Sequence, residues 1–318
     1  MPARSSRLAA LLLLVVMLVG ALPGSASAAD PDKPLPVPYT FLPTAVLAGI
    51  RIGTDAPGTN DWSCKPTAAH PDPVVLVHGT FGNKSTNWQT FGPLLANEGY
   101  CVYALTYGTS PQVPPSVREG FGGLTEIEAS AAELKDFVAR VLASTGAAQV
   151  DLVGHSQGTL MPNYYAKFLD GAPFIDDYVS LAPLWHGTNV GGLASLNAQG
   201  RRYGFPTPQF EFFPAGTQMM AGSEFIQNMR SGGSPAVPGI AYTNIVTKFD
   251  ELVIPYTSGI EPGMTNIVVQ DVCKLDLADH LALAADPIAA QLVLNALDPA
   301  NAERPRCRPV LPVLGSLR

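Results

Sequence analysis

The sequence predicts an α/β fold, a mostly parallel central sheet flanked by helices and carrying one long insertion. Two observations lead to it. Strand-like apolar runs alternate with helix-like stretches from residue 73 to residue 169, the order that builds a parallel sheet through right-handed crossovers. The pattern then stops between residues 186 and 238, where Gly, Pro, Phe and Met crowd together, and resumes at residue 240.

Taken in order, residues 1–28 read as a secretory leader. Arg4 and Arg7 supply a positive start, Leu8 to Leu22 is an unbroken run of apolar residues and glycine, and Ala26-Ser27-Ala28 has the small-x-small form of a cleavage site. That run of 15 residues falls short of the about 20 needed to span a membrane. The expectation is a soluble, exported monomer with one domain over residues 29–318. Losing the leader takes the formal charge from −7 further negative, which argues against nucleic acid or an anionic membrane surface as partner.

Residues 30–70 form an extended leading segment rich in proline and glycine. Pro73 to Val77, PVVLV, is a buried strand by its β-branched content, and it runs into the loop His78-Gly79-Thr80-Phe81-Gly82. A helix over Trp88 to Glu98 ends at Gly99, and Tyr100 to Tyr107 is the next strand. After a proline-bearing loop over 108–123, Thr125 and Glu128 predict a capping box. Ile127, Leu134, Phe137, Val138, Val141 and Leu142 give that helix its apolar stripe, and Gly146 stops it.

Gln149 to Val153 is a strand, followed by a helix reaching about Leu169 in which Pro162 is tolerable only near the start or as a kink. Tyr178 to Ala182, Ile240 to Phe249 and Thr265 to Cys273 complete the strands, and a last helix covers Leu281 to Leu297. The 186–238 stretch is expected to sit over the carboxyl ends of the strands, where open α/β sheets bind ligands.

Between strand and helix lies VDLVGHSQGT, residues 150–159. A serine between two glycines at such a junction fits a turn so sharp that neighbours with a Cβ would collide, with the Ser156 hydroxyl projecting outward. Serine is a poor nucleophile unless a base lies in hydrogen-bonding reach, oriented by a carboxylate. Five histidines allow elimination. His70 and His78 precede the serine, His155 adjoins it on the turn, and His186 follows the next strand too early to leave room for an acid-bearing strand. His280, after the last strand, remains. The acid is expected one strand earlier, at Asp250, with Glu251 as the rival. Asp271, Asp276 and Asp279 read as solvated or loop-stabilising residues.

Charge developing on a carbonyl oxygen needs donors. The backbone N–H of Gln157 is one, and Thr80 the second, with its hydroxyl able to add a bond; Phe81 is the alternative backbone donor. His78 and His186 read as loop-bracing residues, and Trp88 and Trp185 as packing. Asn83-Lys84-Ser85 matches a glycosylation sequon that carries little weight.

Cys64, Cys101, Cys273 and Cys307 all fall in the exported part, so two disulfides are expected in one of three pairings. Each of the sequential pair would stabilise by about 4 kcal/mol in the chain-entropy model. No cysteine spacing suggests a metal site, and calcium leaves no readable ligand cluster.

The blocks HGT at 78–80, GHSQG at 154–158, TNIVTKFDELVIPY at 243–256 and VVQDVCKLDLADH at 268–280 together resemble the secreted triacylglycerol lipases of actinobacterial type. They are more distantly similar to the yeast lipase B group. The resemblance spans residues 60–307 and implies an α/β-hydrolase fold with a lid/cap insertion at 186–238, in which GxSxG is the nucleophile elbow. It implies Ser156, Asp250 and His280 as the triad, Thr80 and Gln157 as the oxyanion hole, and disulfides Cys64–Cys101 and Cys273–Cys307. It also implies action on lipid or small esters without an organic cofactor. The elbow departs from lipase B in having Gly154 and His155 where that group has Thr and Trp.

The function read from the sequence is therefore a secreted serine carboxylic ester hydrolase, a triacylglycerol lipase or esterase working through an acyl-enzyme. The alternatives are a cutinase-like polyester depolymerase, an acyltransferase, or a non-catalytic lipid-binding relative. A histidine base predicts activity falling below about pH 6 to 7.

Overall fold

The computed structural model describes residues 33–192, 194–195 and 213–316. The leader expected at 1–28 and part of the insertion expected at 186–238, residue 193 and residues 196–212, lie outside the described residues. In chain order the described helices and strands are α1 (Leu42–Gly49), β1 (Val74–Val77), α2 (Phe91–Asn97), β2 (Val102–Leu105), α3 (Ile127–Thr145), β3 (Val150–His155), α4 (Gln157–Phe168) and β4 (Ile175–Leu181). They continue with α5 (Pro214–Gln218), α6 (Glu224–Met229), β5 (Ala241–Val246), β6 (Thr265–Val268), α7 (Val269–Val272) and α8 (Pro287–Leu297).

The six strands form one sheet in the order β2-β1-β3-β4-β5-β6, every neighbour parallel. Because successive side chains of a strand point to opposite faces, β1 supplies Val75 and Val77 to one core and Val74 and Leu76 to the other. Leu134, Val138 and Val141 of α3 and Leu160 and Tyr165 of α4 complete the first core. Phe91 and Leu95 of α2 and Ile288, Ala289 and Val293 of α8 complete the second. Both faces are covered, as a parallel sheet demands. Chain direction across the sheet reverses between β1 and β3, so the loops after these two strands diverge, the position at which open parallel sheets form a crevice at their carboxyl ends.

Several boundaries differ from the sequence reading, each for a tertiary reason. The predicted capping box does not form: the Thr125 hydroxyl faces Ser130 Oγ at 3.3 Å. The start of α3 is instead satisfied from the insertion, where Gln218 Oε1 accepts the Ile127 N–H at 2.7 Å and Gln218 Nε2 donates to Glu128. The strand predicted to reach Cys273 ends at Val268 and passes directly into α7, which places Cys273 in its disulfide with Cys307. Cys64 and Cys101 form the other disulfide. The Asn83 side chain is buried and engaged, accepting from the Ser85 and Thr86 N–H groups and donating to Gly120 O, so the sequon is not presented to solvent.

The last helix begins at Pro287, not Leu281, because Asp286 caps it by accepting the Ile288 N–H at 2.7 Å. Asp286 is fully buried against Asp276, also fully buried. The Oδ2 atoms of both have no hydrogen-bond partner, and two carboxyls buried against each other favour one shared proton over two charges. Burial, reinforced by the Asp276 carboxylate, pushes the Asp286 carboxyl well above the usual range. The folded chain thus holds this proton more tightly than the unfolded chain. Its contribution is fully present below the ordinary carboxyl pKa of about 4 and is lost as pH rises through the raised value. Asp286→Asn keeps the cap oxygen and offers an N–H to Asp276. Melting curves between about pH 5 and about pH 9 should therefore show a smaller fall in Tm for the variant than for the wild type; an unchanged slope would count against the shared proton.

Candidate active site

Ser156 occupies the junction of β3 and α4 with φ 56° and ψ −124°, a conformation rarely adopted by residues with a Cβ. Its N–H donates to Leu181 O at 2.9 Å, and its carbonyl accepts from the Thr159 hydroxyl at 2.7 Å. The turn is therefore held from the neighbouring strand and from the first turn of α4, and the serine side chain remains partly exposed at the crevice.

Asp250 and His280 meet across the loops that follow β5 and β6. His280 Nδ1 lies 2.9 Å from both Asp250 carboxylate oxygens, with both side chains almost fully buried. Asp250 Oδ1 is itself fixed by the N–H groups of Leu252 and Val253, at 3.0 and 2.7 Å. An acceptor held this way fixes the imidazole with its proton on Nδ1 and leaves Nε2 as the basic nitrogen. Thr247 laces the two loops together by donating to Ala278 O, and Gln270 Nε2 donates in turn to Thr247 Oγ1 at 2.9 Å.

Glu251, the rival acid, does not touch the imidazole; its carboxylate accepts the backbone N–H of His280 at 3.2 Å. Among the described hydrogen bonds none joins Ser156 Oγ to His280, a contact that in free enzymes often closes only with substrate bound.

The loop after β1 lies on the other side of Ser156. An added Cβ on Gly79 would stand 3.0 Å from Ser156 Cβ. The Phe81 N–H is taken by Gly122 O at 2.9 Å, which removes it as a donor toward the crevice. The Thr80 hydroxyl donates to Gln157 Oε1 at 2.7 Å and lies 3.9 Å from Met219 Sδ. Its single proton is thus engaged within the protein, whereas the sequence reading left it free for a ligand. The Phe81 ring, 52 % exposed, packs against Phe213 with ring centroids 5.2 Å apart. Phe213 and Met219 bring the described part of the insertion to this loop.

His78 stacks on Tyr107 and donates from Nδ1 to Gly79 O at 2.8 Å, and burial holds its pKa down at about 4. It braces the loop as a neutral ring. His186 lies 3.0 Å from the buried Glu261, which Arg230 also pairs at 2.6 Å. Trp88 and Trp185 are fully buried. Among the described residues, Asp72, Asp151 and Asp176 bring three carboxylates within 4.8 Å of one another. They cluster around the amino ends of β1, β3 and β4, away from Ser156.

The family model of the class 2 lipases matches residues 71–293, which covers β1 through most of α8 and so includes Ser156, Asp250 and His280. The chain belongs to the class 2 lipase family. A triacylglycerol lipase of Burkholderia plantarii is 30% identical over 130 residues, 39% of this chain and 32% of that protein. A triacylglycerol lipase of Pseudarthrobacter phenanthrenivorans is 34% identical over 104 residues, 31% of this chain and 29% of that one. Pyrrolizixenacetamide deacetylase of Xenorhabdus hominickii is 37% identical over 89 residues, 27% of this chain and 29% of the deacetylase.

The matched segments thus span about a third of the length of those relatives. The fold of the chain is shared with lipase B of Aspergillus fumigatus, at a TM-score of 0.59 and 20% identity over 79% of this chain and 57% of that one. It is also shared with a mature Bacillus licheniformis lipase, at a TM-score of 0.52 and 15% identity over 75% of this chain and 94% of that one. The architecture is the α/β-hydrolase fold.

Proposed function

We propose that this chain is a serine carboxylic ester hydrolase, a triacylglycerol lipase or esterase, with Ser156 as nucleophile, His280 as base and Asp250 as its orienting acid. The observation that carries the reading is the His280 Nδ1 contact with both Asp250 oxygens, at the crevice where Ser156 projects from a strained turn. Ser156 Oγ attacks the ester carbonyl carbon as His280 Nε2 takes its proton. The imidazolium, stabilised by Asp250, gives that proton to the departing alkoxide, leaving an acyl-serine. Water, deprotonated by the same nitrogen, then releases the carboxylic acid and restores the serine. The backbone N–H groups of Thr80 and Gln157 receive the oxyanion, each worth about 3 kcal/mol in the transition state.

An uncharged, apolar acyl group suits the surroundings. Phe81 and Phe213 flank the loop carrying Thr80, and Phe249, Leu252 and Ile254 leave apolar surface exposed beside Asp250. Two relatives are named triacylglycerol lipases, which supports the same substrate class. Export from the cytoplasm is part of the proposal, supported by the leader-like residues 1–28 and by two disulfides of the kind that persist in oxidising compartments. In the described residues no helix is long and apolar enough to cross a membrane.

The test is the initial hydrolysis rate of the mature protein on p-nitrophenyl esters from acetate to palmitate, with p-nitroacetanilide alongside. Ester turnover with an optimum at medium or long chains is expected. Turnover of the anilide alone would overturn the ester reading in favour of amide hydrolysis, and turnover of none would remove the hydrolase reading.

A further inference from the structure

His155 is the last residue of β3, adjoins Ser156 and is 2 % exposed. Its ring faces that of His280, with centroids 5.0 Å apart, and its Nε2 lies 2.9 Å from the backbone carbonyl of His280. A carbonyl oxygen only accepts, so the proton of this bond sits on His155 Nε2, and Nδ1, 3.3 Å from the Asn87 side-chain amide, is left to accept from it, with the amide turned so that its otherwise unpartnered nitrogen faces the ring. Burial, then the neighbouring His280, holds the His155 pKa down at about 3, so the ring stays neutral where the protein works.

The other end of the contact explains what this bond controls. His280 lies in a turn outside every helix and strand. Among the described hydrogen bonds its peptide groups are held only by side chains: its N–H by Glu251 Oε2 at 3.2 Å, and its C=O by His155. One anchor is the chain neighbour of Asp250 and the other the chain neighbour of Ser156. The placement of the His280 Cα, and so of the ring that must reach Ser156 Oγ, depends on these two bonds.

We propose that His155 is a positioning residue: by donating from Nε2 to the His280 carbonyl, its neutral ring keeps the base in register with the serine on the same rigid turn. The proposal rests on the reading of Ser156, His280 and Asp250 as the reacting set. It also gives a physical reason for a histidine at this position of the elbow, a residue that would otherwise be an unfavourable polar group in a buried site.

The experiment compares the wild type with His155→Leu, which has no donor, and His155→Gln, whose amide N–H reaches a similar point. Each is measured for kcat and KM on p-nitrophenyl butyrate and for the rate at which a fluorophosphonate labels Ser156. Loss of register by a fraction of an ångström is expected to lower kcat of the Leu variant about 10- to 100-fold with KM within about twofold. Labelling should slow in parallel, and Gln should recover most of the loss. Equal impairment of Leu and Gln, or a Leu variant with wild-type kcat, would overturn the proposal and leave His155 as packing alone.

A second measurement needs no variant. Nitrogen-15 NMR of the wild-type histidine side chains should find His155 as a neutral Nε2–H tautomer that does not titrate across the working pH range. A ring protonated on Nδ1, or one that titrates, would overturn the proposal even if the Leu variant failed to fold. A wild type inert both to ester and to fluorophosphonate would instead overturn the hydrolase reading, and this proposal with it.

Discussion

Ser156→Ala is expected to lower kcat on p-nitrophenyl butyrate by about 10^4- to 10^6-fold, the usual consequence of removing the nucleophile from a serine, histidine and carboxylate set. Nothing else in the crevice depends on the hydroxyl. His280 remains fixed by Asp250 and by its two backbone anchors, and the turn remains fixed through the Ser156 N–H and C=O, which alanine retains. Alanine adopts the positive φ of the turn at a strain similar to that of serine, so Tm should change by no more than about two degrees. Residual turnover would come from the two backbone donors. The checks are kcat of the purified variant and its thermal melt. A variant retaining more than about a hundredth of wild-type kcat would show that Ser156 is not the nucleophile.

The second large effect concerns the fold. A Cβ added to Gly158 would stand 2.0 Å from Val77 O and 2.5 Å from His78 O, both backbone atoms of β1 and its following loop. No rotamer change relieves such a clash. Either α4 lifts away from β1 or the loop carrying Thr80 moves, and both are packed in the core. The expected loss from Gly158→Ala exceeds the about 1 to 3 kcal/mol typical of overpacking and is a large share of the about 5 to 15 kcal/mol that stabilises a domain. Gly146→Ala is the control. Gly146 has φ 82° and nothing within 4 Å of its added Cβ, so only the backbone penalty of about 1 kcal/mol applies. Thermal melts of the two variants decide the matter: a Gly158 variant melting as high as the Gly146 variant would show that the helix tolerates the displacement.

The glycines on either side of Ser156 also mark what could be read from the chain. Gly154 and Gly158 announce a close approach by spacing alone, since a strand that turns directly into a helix leaves room for no Cβ; an added one on Gly154 would meet Gly158 O at 2.1 Å. The pairing of His280 with Asp250 is legible because the chain has five histidines and because successive strands of a parallel sheet end on one edge. Chain position marks Glu251 only as a rival acid, whereas its contact with the His280 N–H gives it a different part. From the sequence, His155 is only the neighbour of the serine on the turn. Its partner lies 125 residues away, and no local signal reports so distant a backbone carbonyl.

The same distinction runs through the helix ends. Thr125 and Glu128 satisfied the local capping pattern, yet Gln218, 91 residues along the chain, supplies the acceptor to Ile127. A cap residue takes whichever partner packing delivers, and local pattern counts only the nearest. Asp286 moved the start of the last helix for a related reason, since its carboxyl faces Asp276 from the preceding loop.

The sequence by itself determined the period and order of the elements, the sharp turn at Ser156 and the residue types able to serve there. Apolar spacing, glycine placement and chain order are local quantities that each segment carries with it. Only the tertiary structure decided which groups are held and by whom: the Phe81 N–H taken by Gly122, the Thr80 hydroxyl engaged by Gln157, the peptide of His280 anchored by Glu251 and His155. Those choices follow from buried polar groups having to find partners wherever the packed core places them, and that placement is a property of the whole chain.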